Sequence, residues 1–264
     1  MISIVTSYYN RKKLFEETLK TIKKSEIKDI EVVAVDDGSD PGQRLEDLKH
    51  QFPFLKIVRL EKENKWYINP CVPFNIGIKE SKGDKIILQN PECLHVHDVL
   101  KCVEEELDDS KYISFSCYAV SPELNKKVPL QSQYGTLADD IKIFPQKAYI
   151  GGDNPGWYNH SVYRPTYYHF CAALTRNNMA KLNGFDERLA MGIGYDDDEI
   201  VARIRMLGLN LVINDNISVI HQYHSTLWTH PNVSHLCEIN RRLSHQIQLE
   251  NKPYANITPL WSGI

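Results

Sequence analysis

The chain has 264 residues and a formal net charge of −3, with 42% hydrophobic, 10% aromatic and 25% charged residues. The charged fraction excludes a fibrous or membrane-embedded composition, and acids and bases mixed at near-neutral charge exclude a nucleic-acid partner. The length suits one compact, soluble α/β domain with an extension.

The apolar run at residues 1–6 is far too short for a secretory signal, and no stretch approaches a membrane span. A cytoplasmic chain without a transmembrane segment is therefore expected. Cysteines 71, 93, 102, 117, 171 and 237 lack the paired spacing of a zinc site and read as mostly buried free thiols. Sequons at Asn159, Asn216, Asn232 and Asn256 then read as chance occurrences.

In chain order, Ile2 to Val5 is a strand-like run, and Leu14, Thr18, Leu19 and Ile22 recur at helical spacing before the β-branched run Ile30 to Val35. This is a β-α-β unit. Further runs at Leu55 to Leu60, Ile86 to Leu88 and Tyr112 to Phe115 predict an open, mainly parallel sheet flanked by helices, with right-handed crossovers. Residues 120–165, rich in Pro, Gly, Tyr and Asn, predict long irregular loops. Ile200, Ile204 and Leu207 mark a helix stripe, Ile217 to Ile220 is a further apolar run, and a helix and Pro-containing tail follow from about Cys237.

Ligands of such sheets sit at the carboxyl ends of the strands. Those ends read Thr6-Ser7-Tyr8-Tyr9-Asn10, Asp36-Asp37-Gly38-Ser39 and Gln89-Asn90-Pro91-Glu92. A carboxylate beside an aromatic ring suits a nucleobase or ribose, although Asp-Gly-Ser also makes an ordinary turn and Tyr8 also suits a core position. Gly192-Ile193-Gly194-Tyr195-Asp196-Asp197-Asp198-Glu199 opens a helix with acids in its first turn, where the dipole alone also favours them.

The first two strand ends together resemble glycosyltransferase family 2, whose members share the Rossmann-like GT-A fold. The resemblance continues through Asn75-Ile76-Gly77-Ile78 and Gly83-Asp84-Lys85-Ile86-Ile87-Leu88. Gly184-Phe185-Asp186-Glu187, the acidic box and Arg203 are similar to the acceptor-side segment of galactosyltransferases and chondroitin-polymerase-type enzymes. It implies one domain over residues 1–264: a nucleotide-sugar half at 1–118, an acceptor and catalytic half at 119–236, and a C-terminal helix and tail at 237–264.

By the resemblance Thr6, Tyr8, Asp37, Asn75 and Asn90 bind the nucleotide, with Asp37 on the uracil of a UDP-sugar. Asn90-Pro91-Glu92 takes the place of the family's metal-binding Asp-x-Asp, leaving one carboxylate where two are usual. Glu92 and His221, with His224 as the alternative, then hold a divalent ion, and an imidazole ligand favours Mn²⁺ over Mg²⁺. Asp197 is the catalytic base, Asp196 binds acceptor hydroxyls, and Trp157 offers a platform to a sugar ring. The implied activity is inverting hexosyl or N-acetylhexosaminyl transfer from a nucleotide-sugar donor to a glycan or glycoconjugate acceptor. The rival readings are a catalytically silent nucleotide-sugar or glycan-binding protein and a nucleotidyltransferase; the latter lacks its Gly-rich phosphate loop here.

Overall fold

The computed structural model describes residues 1–128, 135–224 and 231–255. Its first half alternates strand and helix: β1 (Ile2–Tyr8), α1 (Lys12–Lys23), β2 (Ile30–Asp37), β3 (Leu55–Leu60), α2 (Cys71–Glu80), β4 (Lys85–Gln89), β5 (Cys93–His95), α3 (Val99–Glu106) and β6 (Lys111–Ala119). The second half holds short helices α4 (Pro122–Asn125) and α5 (Leu137–Ile143), then β7 (Gly156–Asn159), β8 (Cys171–Thr175), α6 (Arg176–Leu182), α7 (Asp196–Met206), β9 (Asn210–His221) and α8 (Val233–Leu249). Among the described residues no helix is long and apolar enough to cross a membrane.

The strands form one sheet in the order β3-β2-β1-β4-β8-β6-β9-β5, with β7 added to β6. β1 to β4 are mutually parallel; β8 runs against both β4 and β6, and β6 and β9 are parallel to each other. The carboxyl ends of β1, β2, β4, β6 and β9 and the amino end of β8 therefore lie on one rim.

Period-two alternation sorts the strand residues onto two helical layers. Ile2, Ile4, Val32, Ala34, Ile87, Ile113 and Phe115 face a core with Phe15, Leu19 and Ile22 of α1 and Val99 and Val103 of α3. Val5, Ile86, Leu88 and Leu174 face Phe74 and Ile78 of α2, Met179 and Leu182 of α6, and Ile200 and Ile204 of α7. Gly77 lets α2 approach the sheet, since a Cβ there would stand 2.5 Å from Val5 Cγ1. This is the mixed α/β sheet flanked by helices that the hydrophobic runs predict.

The stretch 120–165 is more ordered than expected. β7 pairs with β6, and Leu137, Ile141, Phe144 and Trp157 build a third apolar cluster with Tyr118 and Ile220. The aromatic residues among its Gly and Pro turns are core residues. The last helix begins at Val233, one turn before the expected Cys237. Asn159, one of the four sequon asparagines, is fully buried and donates to Ser114 Oγ at 2.7 Å and to the Phe115 carbonyl at 2.9 Å.

Arg203 of α7 is 1% exposed. It grips buried Glu199 through Nε and Nη2 at 2.5 and 2.6 Å, and Nη1 donates to the carbonyls of Leu182 and Gly184 at 2.8 and 2.9 Å. It thus braces α7 against the end of α6. Arg203→Met strands a buried carboxylate and should cost about 3 to 5 kcal/mol in urea denaturation, whereas adding Glu199→Leu should recover most of that loss.

Candidate active site

The rim residues fall into three groups. At the ends of β1 and β2, Asp37 is 8% exposed, lies 2.5 Å from Lys65 Nζ and accepts from Tyr67 Oη at 2.6 Å. Asp36 is a structural acid: fully buried, it pairs with Arg59 at 2.8 Å and accepts from the Ser39 amide at 2.9 Å. Asn10, at φ 50°, binds Asp40 through both ends of its amide at 2.9 Å and so locks the two strand ends together. Thr6 Oγ1 is buried and has no hydrogen-bond partner among the described residues.

Tyr8 does not offer its ring to a base. It is wholly buried against Phe15 with centroids 5.5 Å apart, and its hydroxyl donates to the Gln43 carbonyl at 2.5 Å. Alternation turns the next residue outward: Tyr9 is 42% exposed, with Lys65 Nζ 5.5 Å from its ring centre. Tyr9, the extra residue between Tyr8 and Asn10, is thus the tyrosine of this pair that reaches the surface of the rim.

Asn75 is likewise in the core. It is 1% exposed and committed to Phe185, donating to its carbonyl at 2.9 Å and accepting from its amide at 2.7 Å, so it clamps α2 to the 184–187 turn instead of facing a nucleotide. Trp157 is 4% exposed, edge-on to Tyr118 with centroids 5.0 Å apart and bonded to Gln146 through Nε1 at 3.1 Å, which removes it as a sugar platform. Asn90 stays half-buried on the rim, and its backbone N–H donates to the Phe170 carbonyl at 3.1 Å.

The second group surrounds Glu92, which follows β4 and is 1% exposed. Its Oε1 lies 3.1 Å from His221 Nε2 at the end of β9 and 2.8 Å from His224 Nε2, so both histidines meet one carboxylate. Arg11 Nη1 donates to both Glu92 oxygens at 3.2 and 3.1 Å. Burial pushes the Glu92 carboxyl up, but Arg11 and the two histidines more than offset this and hold it well below the usual range. Burial lowers the His221 pKa, favouring the neutral imidazole that a metal ligand requires. One oxygen and two nitrogens within 4.8 Å of one another fit a divalent cation.

The third group opens α7. Tyr195 holds a left-handed φ of 66°, an uncommon conformation for a side-chain-bearing residue, and turns the chain into the helix. Asn240 of α8 fixes the approach by donating to the Leu189 and Gly194 carbonyls at 3.0 and 2.9 Å. Asp196 accepts from Asn69 at 3.0 Å, Asp197 lies 2.6 Å from His169 Nδ1, and Asp198 accepts from Tyr168 Oη at 2.5 Å. Burial, with Asp197 beside it, raises the Asp196 carboxyl to about 6. A cleft of about 260 Å³, lined by Thr166, Tyr168, Asp198, Val201 and Arg205, runs along α7 from its first turn to its last. Phe170 joins the second and third groups, being next to His169, bonded through its carbonyl to Asn90 and edge-on to His221 with centroids 6.0 Å apart.

The glycosyl transferase family 2 model matches residues 3–168, more than half of the chain and all of the first group and Glu92. The chain belongs to glycosyl transferase family 2. The search of curated proteins found no match. Among solved structures, the mannosyltransferase PcManGT of Pyrobaculum calidifontis, in complex with GDP-Man and Mn²⁺, aligns at 16% identity and TM-score 0.57, covering 94% of this chain and 63% of that one. TarS of S. aureus, residues 1-349 in complex with UDP-GlcNAc, aligns at 12% identity and TM-score 0.58, covering 95% and 71%. The alignment with S. aureus TarS without that residue range has 15% identity and TM-score 0.55 and covers 84% of this chain but 36% of TarS. These likenesses establish the glycosyltransferase fold; the chain spans about 63% of the mannosyltransferase and a smaller part of that TarS structure.

The Asp196 environment sets a pH dependence for this family 2 fold. An acid whose folded pKa lies above its unfolded value weakens the fold once pH passes the unfolded value, and the penalty levels off above the folded one. Asp196→Asn should therefore stabilise by on the order of 2 kcal/mol above pH ~6 and by nothing below pH ~4. Thermal melts of both proteins across that range check this; a constant difference would contradict it.

Proposed function

We propose that the chain is an inverting glycosyltransferase that moves a sugar from a UDP-sugar to a hydroxyl of a glycan or glycoconjugate. The observation that carries the reading is the pairing, through Phe170, of a cation-ready Glu92-His221-His224 cluster with a helix-start acid, Asp197, on the same sheet rim. A silent binding protein has no need of the second cluster.

In this reading Thr6 and Asp37 recognise the nucleoside and Tyr9 covers it, with Asn90 beside the diphosphate. Glu92, His221 and His224 would hold a divalent cation, which would supply positive charge for the departing diphosphate, and the imidazole ligands favour Mn²⁺. GDP-Man with Mn²⁺ and UDP-GlcNAc, bound by the two structural neighbours, are consistent with a nucleotide-sugar donor. The acceptor lies in the Tyr168-Asp198 cleft, in keeping with the galactosyltransferase-like order of the 184–203 segment. Asp196 holds an acceptor hydroxyl, and Asp197 removes the proton of the attacking one as the new bond forms on the face opposite the leaving group.

The test is kinetic. Asp197→Asn should lower turnover by about 10² to 10⁴ while UDP affinity stays at the wild-type value in calorimetry. Wild-type turnover in Asp197→Asn, with Asp196→Asn inactive, would move the base to Asp196. Absence of both transfer and donor hydrolysis in the wild-type protein, with UDP bound, would favour the silent binding module.

A further inference from the structure

Each acid at the start of α7 has its own partner, and the partner of Asp197 is out of the ordinary. His169, just before β8, is 4% exposed and packs edge-on against the stacked rings of Phe74 and Phe185, with centroids 5.0 and 4.9 Å away. Its Nδ1 lies 2.6 Å from Asp197 Oδ1, and its backbone N–H donates to the same oxygen at 3.0 Å. Its Nε2 lies 4.0 Å from Asp196 Oδ2. The Nδ1 contact is an ion pair bent away from hydrogen-bond geometry, so the backbone N–H supplies the directional contact.

Packing alone does not account for an imidazole here. An apolar ring packs against two phenylalanines equally well and avoids the cost of a buried polar group. A cation also stands unfavourably at the positive end of a helix dipole. What the histidine adds is a second hold on one oxygen of Asp197, whose side chain is 26% exposed. With Oδ1 held from two directions, Oδ2 is the oxygen left for an incoming hydroxyl.

We propose that His169 is a positioning residue for transfer: its ring and backbone N–H clamp Asp197 Oδ1, so that Oδ2 is presented to the acceptor. This rests on Asp197 acting as the base. In the step, the acceptor O–H bond breaks and its proton goes to Asp197 Oδ2. The oxygen bonds to the anomeric carbon, and the carbon–phosphate-oxygen bond breaks with its electron pair leaving on the diphosphate. His169 neither gains nor loses a proton. Burial disfavours charge on its ring, but Asp197 and Asp196 more than offset this and raise its pKa. Other titratable groups facing the pair are Tyr112 of β6 and Tyr168, both sensing Asp197, and Cys71 of α2, sensing Asp196.

Two variants test the clamp. His169→Phe fills the aromatic slot without a polar atom; His169→Asn sets a neutral amide near the place of Nδ1. Both should bind UDP with wild-type affinity. His169→Phe should lower kcat by roughly 10²-fold, and His169→Asn should recover part of that loss. In an Asp197→Asn background His169→Phe should cost no further turnover, because the two act as a unit. Wild-type kcat in His169→Phe, losses that multiply in the double variant, or a Mn²⁺ content that falls with His169 would each overturn the proposal, the last by giving the cluster to a cation. Independently of any activity, the NMR titration midpoint of the His169 ring should fall in Asp197→Asn, and an unmoved midpoint would break the pairing even if transfer is shown. Absence of transfer in the wild-type protein would instead remove the reading of the site as a transferase while leaving the titration result standing.

Discussion

A carboxylate that is 1% exposed has to be neutralised, and the way Glu92 is neutralised organises this molecule. Arg11 comes from the turn after β1, His221 from the end of β9 and His224 from three residues beyond, so one side chain draws together segments at opposite ends of the sequence. Gln222 adds to the closure by donating to the Glu92 carbonyl at 3.0 Å and to the Leu14 carbonyl of α1 at 3.0 Å. Truncating one partner of such a group generally costs more than the pair contributes, because the remaining charge stays buried.

The same logic governs the start of α7. Three adjacent aspartates repel one another, and the helix dipole offsets only part of that repulsion. Asn69, His169 and Tyr168 give each acid a separate partner, so the acids are held in different orientations and environments. Asp196, the buried one, is raised to about 6, a condition that disfavours the fold at neutral pH. Stability given up at one acid beside a cleft is a common feature of functional sites.

The sheet was legible because its evidence is repetitive: β2 and β4 each carry a continuous apolar run, β3 is apolar at four of its six positions, and α1 carries helical spacing. Short elements carry too few residues to show a period, so β5, at Cys93–His95, and β8, at Cys171–Thr175, went unread. Trp157 misled because Gly and Pro around it signal a loop, whereas its burial is decided by Tyr118 and Phe144 from elsewhere in the chain. Tyr8 and Tyr9 are told apart only by strand parity. Arg11 and His169 were invisible for a different reason: each acts through a partner 81 or 28 residues away, a separation no local pattern encodes. Glu92, His221 and His224 were named from the sequence, and the fold brings them together.

In the proposed reaction Glu92 and its two histidines hold a cation that serves the donor diphosphate. This is tested most directly by calorimetry of UDP binding to the wild-type protein and to Glu92→Gln, each with Mn²⁺ and with excess chelator. Mn²⁺ should tighten UDP binding to the wild type by at least about tenfold, equivalent to ~1.4 kcal/mol, and do nothing for Glu92→Gln. Equal UDP affinity with Mn²⁺ and with chelator in the wild type would contradict it and leave the diphosphate to Arg11.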